Sequence, residues 1–182
     1  MLRNLLFIFG LTFSLIQSSI ADQQNDFDDL EGHSAFWVGL GLGNNQFGVV
    51  KSINLTLARE EHLFTVRYAK TDEWQFNVDG DYDNPARKMK EFAFLYGRYF
   101  KKGNFALTLS AGLAYLQGVD RGKNLQFRDY RAMHISTIGI PIGGEFMMNL
   151  SQSAGIAIQF GANMNREKML SGVILKINVG SF

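Results

Sequence analysis

Apolar and polar residues alternate with a period of two along most of the chain from residue 35 onward. Such alternation is typical of β-strands whose two faces meet different surroundings. It is clearest in segment 105–115, where apolar residues such as Leu107 and Leu109 alternate with Ala, Thr, Ser and Gly and no charged residue interrupts the pattern. Seven further segments of this kind fill nearly all of residues 34–182. The pattern predicts an all-β fold, an eight-stranded antiparallel up-and-down β-barrel.

Stretches of turn-forming and charged residues mark the boundaries between these segments. We expect tight turns at 43–45, 59–61, 101–104 and 149–153, with Phe47 already in the second strand, and a charged loop at 165–168. Two longer polar loops are expected, one through 79–85 that ends near Lys90 and one spanning 118–131. The fourth strand, 91–100, has aromatic residues on both faces, which leaves its inward-facing set open.

The polar face of the strands indicates what surrounds the barrel. A face in bulk water normally carries Lys and Glu, whereas Gly, Ala, Ser, Thr and Asn predominate here. Small residues suit the narrow interior of an eight-stranded barrel, so the apolar face has no core left to cover and is expected to meet lipid. The sequence therefore predicts a transmembrane β-barrel. The alternation of short and long connections places both chain ends on the periplasmic side.

The N-terminal residues 1–21 have the layout of a secretory signal peptide. Arg3 is their only charge, an apolar run covers 5–16, and Ser19 and Ala21 occupy the small-residue positions before a cleavage site. An uncleaved anchor is the alternative, but the apolar run is shorter than the roughly 20 residues of a spanning helix. We expect a mature chain that starts at Asp22, with a flexible periplasmic leader at 22–33 and the barrel at 34–182.

Composition narrows the possible functions. Without Arg3, the eighteen basic residues become seventeen, equal in number to the acidic ones, so nothing favours nucleic-acid binding. The chain has no cysteine, which rules out disulfides and cysteine zinc sites. No cofactor is expected.

Four charged residues fall on the polar face of the predicted strands: Arg67, Glu91, Glu145 and Lys176. The placement of Glu91 depends on the open parity of the fourth strand. Two charges of each sign in a narrow lumen are costly unless they pair. We therefore predict internal salt bridges that fill the barrel. A small conduction or ligand path is the alternative.

The closing segment, 172–182, alternates to its end and finishes on Phe182. Together with the signal peptide and the dyad-repeat strands, it resembles the small eight-stranded outer-membrane proteins of the OmpX, OmpW and OmpA-barrel type over residues 34–182. The resemblance implies that Phe182 is recognised by the barrel-assembly machinery. In that family the apolar positions share the parity of the terminal aromatic residue, whereas Ile177 and Val179 do not. A register break at Ser181 would restore it.

One group of residues is similar to the His, Ser and Glu of outer-membrane lipid A deacylases: His134, Ser136 and Glu145. Nine residues of one strand, roughly 30 Å, separate Ser136 from Glu145, so these three cannot form a triad. His134 and Ser136 also share the parity of Ile138 and Ile140 and are expected to face lipid or headgroups. Catalysis would need a bulge or another acid.

A second group has the spacing of the first ligands of a calcium loop: Asp79, Asp81 and Asp83. The remaining ligands are missing, because Asn84 stands at the glycine position and Lys90 at the bidentate glutamate. A solvated outer loop is the preferred interpretation.

Three function classes remain. The favoured one is a non-enzymatic surface barrel, a monomer that serves envelope structure or adhesion, and the others are a lipid A-modifying acyl hydrolase and a lipocalin-like soluble carrier. The expected partners are outer-membrane lipid and lipopolysaccharide. Four basic residues of the second polar loop are candidates to meet phosphate groups or an external partner: Arg121, Lys123, Arg128 and Arg131.

Overall fold

The computed structural model describes residues 34–73, 86–126 and 129–182, which form eight β-strands. The strands are β1 (Ser34–Asn45), β2 (Gly48–Arg59), β3 (His62–Asp72), β4 (Lys88–Lys102), β5 (Phe105–Gln126), β6 (Asp129–Asn149), β7 (Ala154–Asn165) and β8 (Leu170–Ser181). Each strand pairs antiparallel with its sequence neighbours, and β1 also pairs with β8 to close the barrel. The predicted all-β, eight-stranded antiparallel up-and-down barrel is confirmed. Among these residues, no helix is long and apolar enough to cross a membrane.

The two ends of the barrel differ. The end that carries Ser34 and Phe182, here called the terminal end, also carries the β2–β3, β4–β5 and β6–β7 connections. The opposite end, here called the loop end, carries the other four connections. The barrel, Ser34–Phe182, forms one compact unit. The predicted signal peptide and leader, 1–33, lie outside the described residues.

Alternation places small side chains, polar side chains and a minority of the large apolar ones inside the barrel, and most large apolar side chains outside. The fourth strand, whose parity the sequence left open, follows the same rule, with Met89, Leu95 and Tyr99 buried inside and Phe94 and Tyr96 exposed outside. Inward parity therefore extends to Glu91.

Two apolar clusters occupy the barrel interior. The cluster at the terminal end includes Trp37, Leu63, Tyr99 and Met147. The second cluster, in the loop-end half, consists of buried side chains from several strands and from the first turn: Phe47, Met89, Ala93, Leu95, Ala114, Leu116, Ile135 and Leu170. The buried polar side chains therefore share the lumen with apolar ones.

The first turn lies later in the chain than the sequence predicts. Residues 43–45 belong to β1, and the turn is formed by Gln46 and Phe47. The Asn45 side-chain oxygen accepts hydrogen bonds from the backbone N–H groups of Phe47 (2.8 Å) and Gly48 (3.1 Å), and Gly48 adopts a φ of 145°. An Asx-type turn followed by a positive-φ glycine fixes this position. The predictions of a turn at 43–45 and of Phe47 in a strand are wrong.

The second long polar loop is also different from its prediction. β5 continues to Gln126 and β6 begins at Asp129, so most of 118–131 is a paired hairpin, with register shifts between Arg121 and Gln126. Polar side chains indicate contact with water, but the backbone ladder of a strand does not depend on them. The predicted loop is wrong for this reason.

Phe182 does not follow a register break. β8 stays in register with β1 to its last residue, with Ser181 opposite Phe36 and Gly180 opposite Trp37. The Phe182 ring therefore lies on the inward side, with its centroid 5.8 Å from that of Trp37, and joins the terminal-end cluster. The register break that would have restored the family's parity is absent from β8, and Phe182 packs against Trp37 without it.

Candidate functional site

The deepest polar group in the lumen is the pair Lys176 and Glu145. Lys176 on β8 and Glu145 on β6 occupy inward positions of their strands, so both side chains lie in the lumen. Only 3% of Lys176 is exposed. One Glu145 carboxylate oxygen accepts a hydrogen bond from Lys176 Nζ, and the other accepts from Asn178 Nδ2 at 2.9 Å. Oriented so that both amide atoms are satisfied, Asn54 accepts from Lys176 Nζ at 2.6 Å. The charges are therefore paired and hydrogen-bonded, as buried charges must be.

A glycine makes room for this pair. A Cβ atom at Gly39 would lie 3.0 Å from Lys176 Cε and 2.5 Å from the Asn178 amide oxygen. The absence of a side chain on this part of β1 therefore allows the lysine stem and the asparagine to lie against the backbone.

The second polar group connects opposite sides of the barrel. Arg67 on β3 donates to one Glu91 carboxylate oxygen through Nε (3.0 Å) and Nη2 (2.6 Å), and Asn163 on β7 donates to the other at 2.7 Å. Glu91 lies on β4, three strands away from β7, so the Asn163 amide reaches across the lumen. Beside this group lies a cavity of about 70 Å³, and one of about 10 Å³ lies beside Glu145. The structure thus brings the four sequence-predicted charges into two ion pairs.

A third polar group, at the loop end, was missed by the sequence analysis. Asp120 on β5 is 3% exposed, and its carboxylate contacts Arg87 Nε (2.9 Å) and Lys168 Nζ (2.7 Å). Burial alone would raise the pKa of Asp120, but hydrogen bonds from Lys168 and the Arg121 N–H, with the charges of Lys168 and Arg87, hold it below the usual value. Asp120 is therefore ionised at neutral pH.

Further contacts extend this third group. Glu73 accepts hydrogen bonds from Arg121 Nη2 and from the backbone N–H of Arg87, both at 3.0 Å. Arg87 and Lys168 also lie over the Phe47 ring, 5.5 and 4.6 Å from its centroid. We call Glu73, Arg87, Asp120, Arg121 and Lys168 the mouth network. The alternation of β5 could have identified this network, because Asp120 falls on the inward side if the strand is extended beyond residue 117.

The outer face of the barrel carries two rows of basic residues in direct register. At the loop end, Lys51 on β2 lies opposite Lys70 on β3, which lies opposite Lys90 on β4. These three residues are the lysine row. Eight residues along the same strands, Arg59 lies opposite His62, which lies opposite Arg98, and these form the arginine row at the terminal end.

The surface between the two rows is apolar. On each of the three strands the three outward residues between the rows are hydrophobic, namely Ile53, Leu55 and Leu57 on β2, Phe64, Val66 and Tyr68 on β3, and Phe92, Phe94 and Tyr96 on β4. All but Val66 are exposed large hydrophobic side chains, and exposed residues of the same kind continue around the other strands. A shallow groove of about 570 Å³ lies among them. We call this surface the apolar belt.

The residues resembling a deacylase triad do not converge. Glu145 faces the lumen, whereas His134 and Ser136 are exposed on the outer face. The Ser136 hydroxyl is hydrogen-bonded to the Tyr115 hydroxyl at 2.9 Å. Nucleophile and acid therefore lie on opposite sides of the barrel wall.

The other candidate ligands are only partly described. Asp79, Asp81 and Asp83 lie outside the described residues, as do the side chains of Lys123, Arg128 and Arg131. Among the residues that the structure describes, no three His, Asp or Glu side chains are grouped to hold a metal ion.

Comparisons with known proteins reveal similarity of fold without similarity of sequence. No protein-family model and no curated protein sequence matches the chain. Among solved structures, the N-terminal β-barrel domain of Pseudomonas aeruginosa OprF aligns with a TM-score of 0.61 at 9% identity, over 82% of this chain and 98% of that one. Ail, the attachment invasion locus protein of Yersinia pestis, aligns at 0.55 and 12% identity, over 83% and 99%. Neisserial surface protein A aligns at 0.51 and 12% identity, over 82% and 96%. The chain therefore has the eight-stranded barrel fold of small outer-membrane proteins.

Proposed function

We propose that this protein is an integral outer-membrane β-barrel of Gram-negative type, exported with a cleaved signal peptide, and that it is a non-enzymatic envelope or surface-interaction protein. The observation that carries the proposal is the apolar belt between two basic rows. A water-soluble protein rarely exposes a contiguous apolar patch of more than a few hundred Å², whereas this belt continues around the barrel.

The height of the belt fits a bilayer. Eight residues separate the rows, roughly 26 Å along a strand and roughly 20 Å along the barrel axis at the usual strand tilt. Basic side chains reach outward from both rows, which brings the spacing close to the roughly 25 Å apolar band of outer-membrane barrels. A lipocalin-like carrier would need the reverse arrangement, with water on this face.

In this arrangement the terminal end lies in the periplasm and the loop end faces the exterior. This orientation follows from the short connections and the two chain ends at the terminal end. It also leaves Phe182 at the periplasmic end of β8, where we propose that the assembly machinery recognises the C-terminal strand.

The membrane proposal is tested by fractionation and electrophoresis. We expect the processed protein in the outer-membrane fraction, extracted by detergent only, with a faster-migrating folded band that disappears on boiling. Recovery of a detergent-free periplasmic monomer with a native β-sheet spectrum would contradict the proposal.

We propose further that the lumen is closed by its side chains. The Arg67–Glu91 pair lies among the buried apolar residues of the second cluster, and the cavities beside both lumen ion pairs are small compared with a water-filled channel. Planar bilayers containing the purified protein should show no discrete conductance steps above those of protein-free bilayers. Reproducible steps that scale with protein concentration would favour a conduction path instead.

The hydrolase alternative has no converging site among the described side chains, since Ser136 is hydrogen-bonded to Tyr115 and Glu145 faces the lumen. We expect hosts that express the wild-type protein, His134→Ala or Ser136→Ala to have identical lipid A mass spectra. A deacylated species that only the wild type produces would restore the enzyme interpretation.

A further inference from the structure

The lysine row places three like charges side by side on the outer face. Lys51, Lys70 and Lys90 occupy directly opposed positions on three adjacent strands. Neighbouring strands lie about 4.8 Å apart, so the Cα atoms of the outer two lysines are only about 10 Å apart. Like charges in opposed positions destabilise a sheet. A row of this kind is therefore expected to have a compensating anion.

The protein supplies little of that compensation. Lys70 Nζ forms an ion pair with Asp72 at 3.0 Å, but within the described part of the chain no carboxylate lies within ion-pair distance of Lys51 or Lys90. One step further toward the loop end, Lys88 lies opposite the same Asp72. Among the described residues, Asp72 is therefore the one carboxylate paired with a lysine of this surface, and its partner is Lys70.

The arginine row differs in this respect. Arg98 forms an ion pair with Glu61 at 2.6 Å, and His62 is hydrogen-bonded to the Tyr96 hydroxyl at 2.7 Å. Arg59 is followed in sequence by Glu60 and Glu61. At the terminal end, Arg98 and His62 thus have protein partners, whereas in the described part of the lysine row only Lys70 is paired with a carboxylate.

The level of the lysine row indicates the kind of anion. One step toward the terminal end, a continuous row of exposed apolar residues crosses the same strands, including Ile53, Tyr68, Phe92 and Tyr115. Tyr at this level is typical of the boundary between acyl chains and headgroups. An anion held by the lysines would therefore lie directly above acyl chains. A phosphate group attached to a lipid meets both conditions.

We propose that Lys51, Lys70 and Lys90 form a binding site for the phosphate groups of a phosphorylated lipid headgroup in the outer leaflet. The inference rests on the proposed membrane embedding of the apolar belt and deepens it by identifying a ligand class. Lysine provides three N–H donors and a positive charge at the end of a flexible stem, which suits phosphate oxygens.

The test compares lipid A that carries both phosphates with dephosphorylated lipid A of the same acyl chains. Each lipid is titrated into the detergent-solubilised protein, and bound lipid is counted by native mass spectrometry. The wild type should bind the phosphorylated form more tightly. Each lysine at headgroup level is expected to contribute roughly fivefold in affinity, so the double variant Lys51→Gln, Lys90→Gln should bind the phosphorylated form about 25-fold more weakly. Its affinity for the dephosphorylated form should not change.

Two variants serve as controls. Arg59→Gln with Arg98→Gln removes two basic groups from the same strands at the other end, and it should bind like the wild type. Lys51→Arg with Lys90→Arg keeps both charges and should also bind like the wild type. Excess inorganic phosphate should compete only weakly, because it lacks the acyl chains, and complete competition would identify a site for free phosphate instead.

The inference is overturned if the wild type shows no preference for the phosphorylated lipid, or if the arginine-row variant loses as much affinity as the lysine variant. The heat-dependent gel shift of each protein, recorded in parallel, reports barrel assembly. Loss of that shift in the wild type counts against the proposed function, whereas a normal shift without phosphate preference counts against the lysine site alone. If the double variant fails to assemble, Lys90→Gln replaces it, with an expected loss of roughly fivefold.

Discussion

Lys176 and Glu145 form a contact in which each side chain depends on the other. Both are buried; Asn178 donates a hydrogen bond to Glu145, and Asn54 accepts one from Lys176. Loss of one charge leaves the other in a low-dielectric interior, where an unpaired ion is far more costly than in water. The pair therefore has a stronger effect on stability than an ion pair on the surface.

Replacing Lys176 with Met should lower the free energy of unfolding by about 3–5 kcal/mol, because Glu145 remains buried without its partner. The double variant Lys176→Met, Glu145→Gln should recover much of this loss. Stability is measured by urea titration in lipid vesicles, with the folded-band shift as the signal. Lys102→Met, at an exposed position, is the matched control and should change stability by less than about 0.5 kcal/mol. A Lys176→Met variant as stable as the control would contradict the proposed dependence.

Parity in the sequence identified the inward charges, but it could not identify their partners. Arg67 and Glu91 lie on adjacent strands, so their pairing follows once the strand order is known. Asn163 on β7 reaches Glu91 on β4, three strands away, and such a contact depends on barrel closure and stagger. The pattern of one strand contains neither quantity.

The elements whose sequences alternate without interruption were predicted well, and the errors fall at their ends. The inward and outward sets of β5, β7 and β8 follow from alternation alone. The β5–β6 hairpin was not predicted, because the polar residues in 118–131 were interpreted as a loop although they pair as strands. Polar composition indicates that a segment is in contact with water. Beyond the apolar belt both strands and loops contact water, so composition does not distinguish them there.

The end of β8 gives a prediction at this scale. Because Phe182 packs on Trp37, Phe182→Ala should shift the Trp37 fluorescence maximum to longer wavelength and lower stability by roughly 1–2 kcal/mol. The measurement uses a Trp74→Phe background, since Trp37 and Trp74 are the two tryptophans of the chain. Phe182→Leu, which keeps an apolar side chain, should have a smaller effect. An unchanged Trp37 spectrum in Phe182→Ala would indicate that Phe182 faces lipid, as a register break would require.

At the scale of the whole molecule, the barrel is inverted relative to a soluble protein, with ion pairs inside and exposed hydrophobic residues outside. Two features of its cross-section depend on each other. The lumen is narrow and is filled by small, polar and clustered apolar side chains, so no further apolar core remains for the outward residues to cover. The outward residues then require a different apolar environment, which in the proposed function is a bilayer.

The middle of the apolar belt is the place where this relation can be measured. Phe94 lies halfway between Lys90 and Arg98 on β4 and is 60% exposed. Phe94→Arg should lower the stability of the vesicle-inserted barrel by about 2–4 kcal/mol, the cost of a basic side chain near the bilayer midplane. Phe94→Leu controls for loss of the ring, and arginine placed at the rim, as Lys102→Arg, controls for the guanidinium group. Both controls should remain close to wild type in urea titrations of the vesicle-bound protein. If this face met water, arginine at position 94 would be tolerated as well as at position 102, and equal stability of the two arginine variants would place the belt outside the membrane.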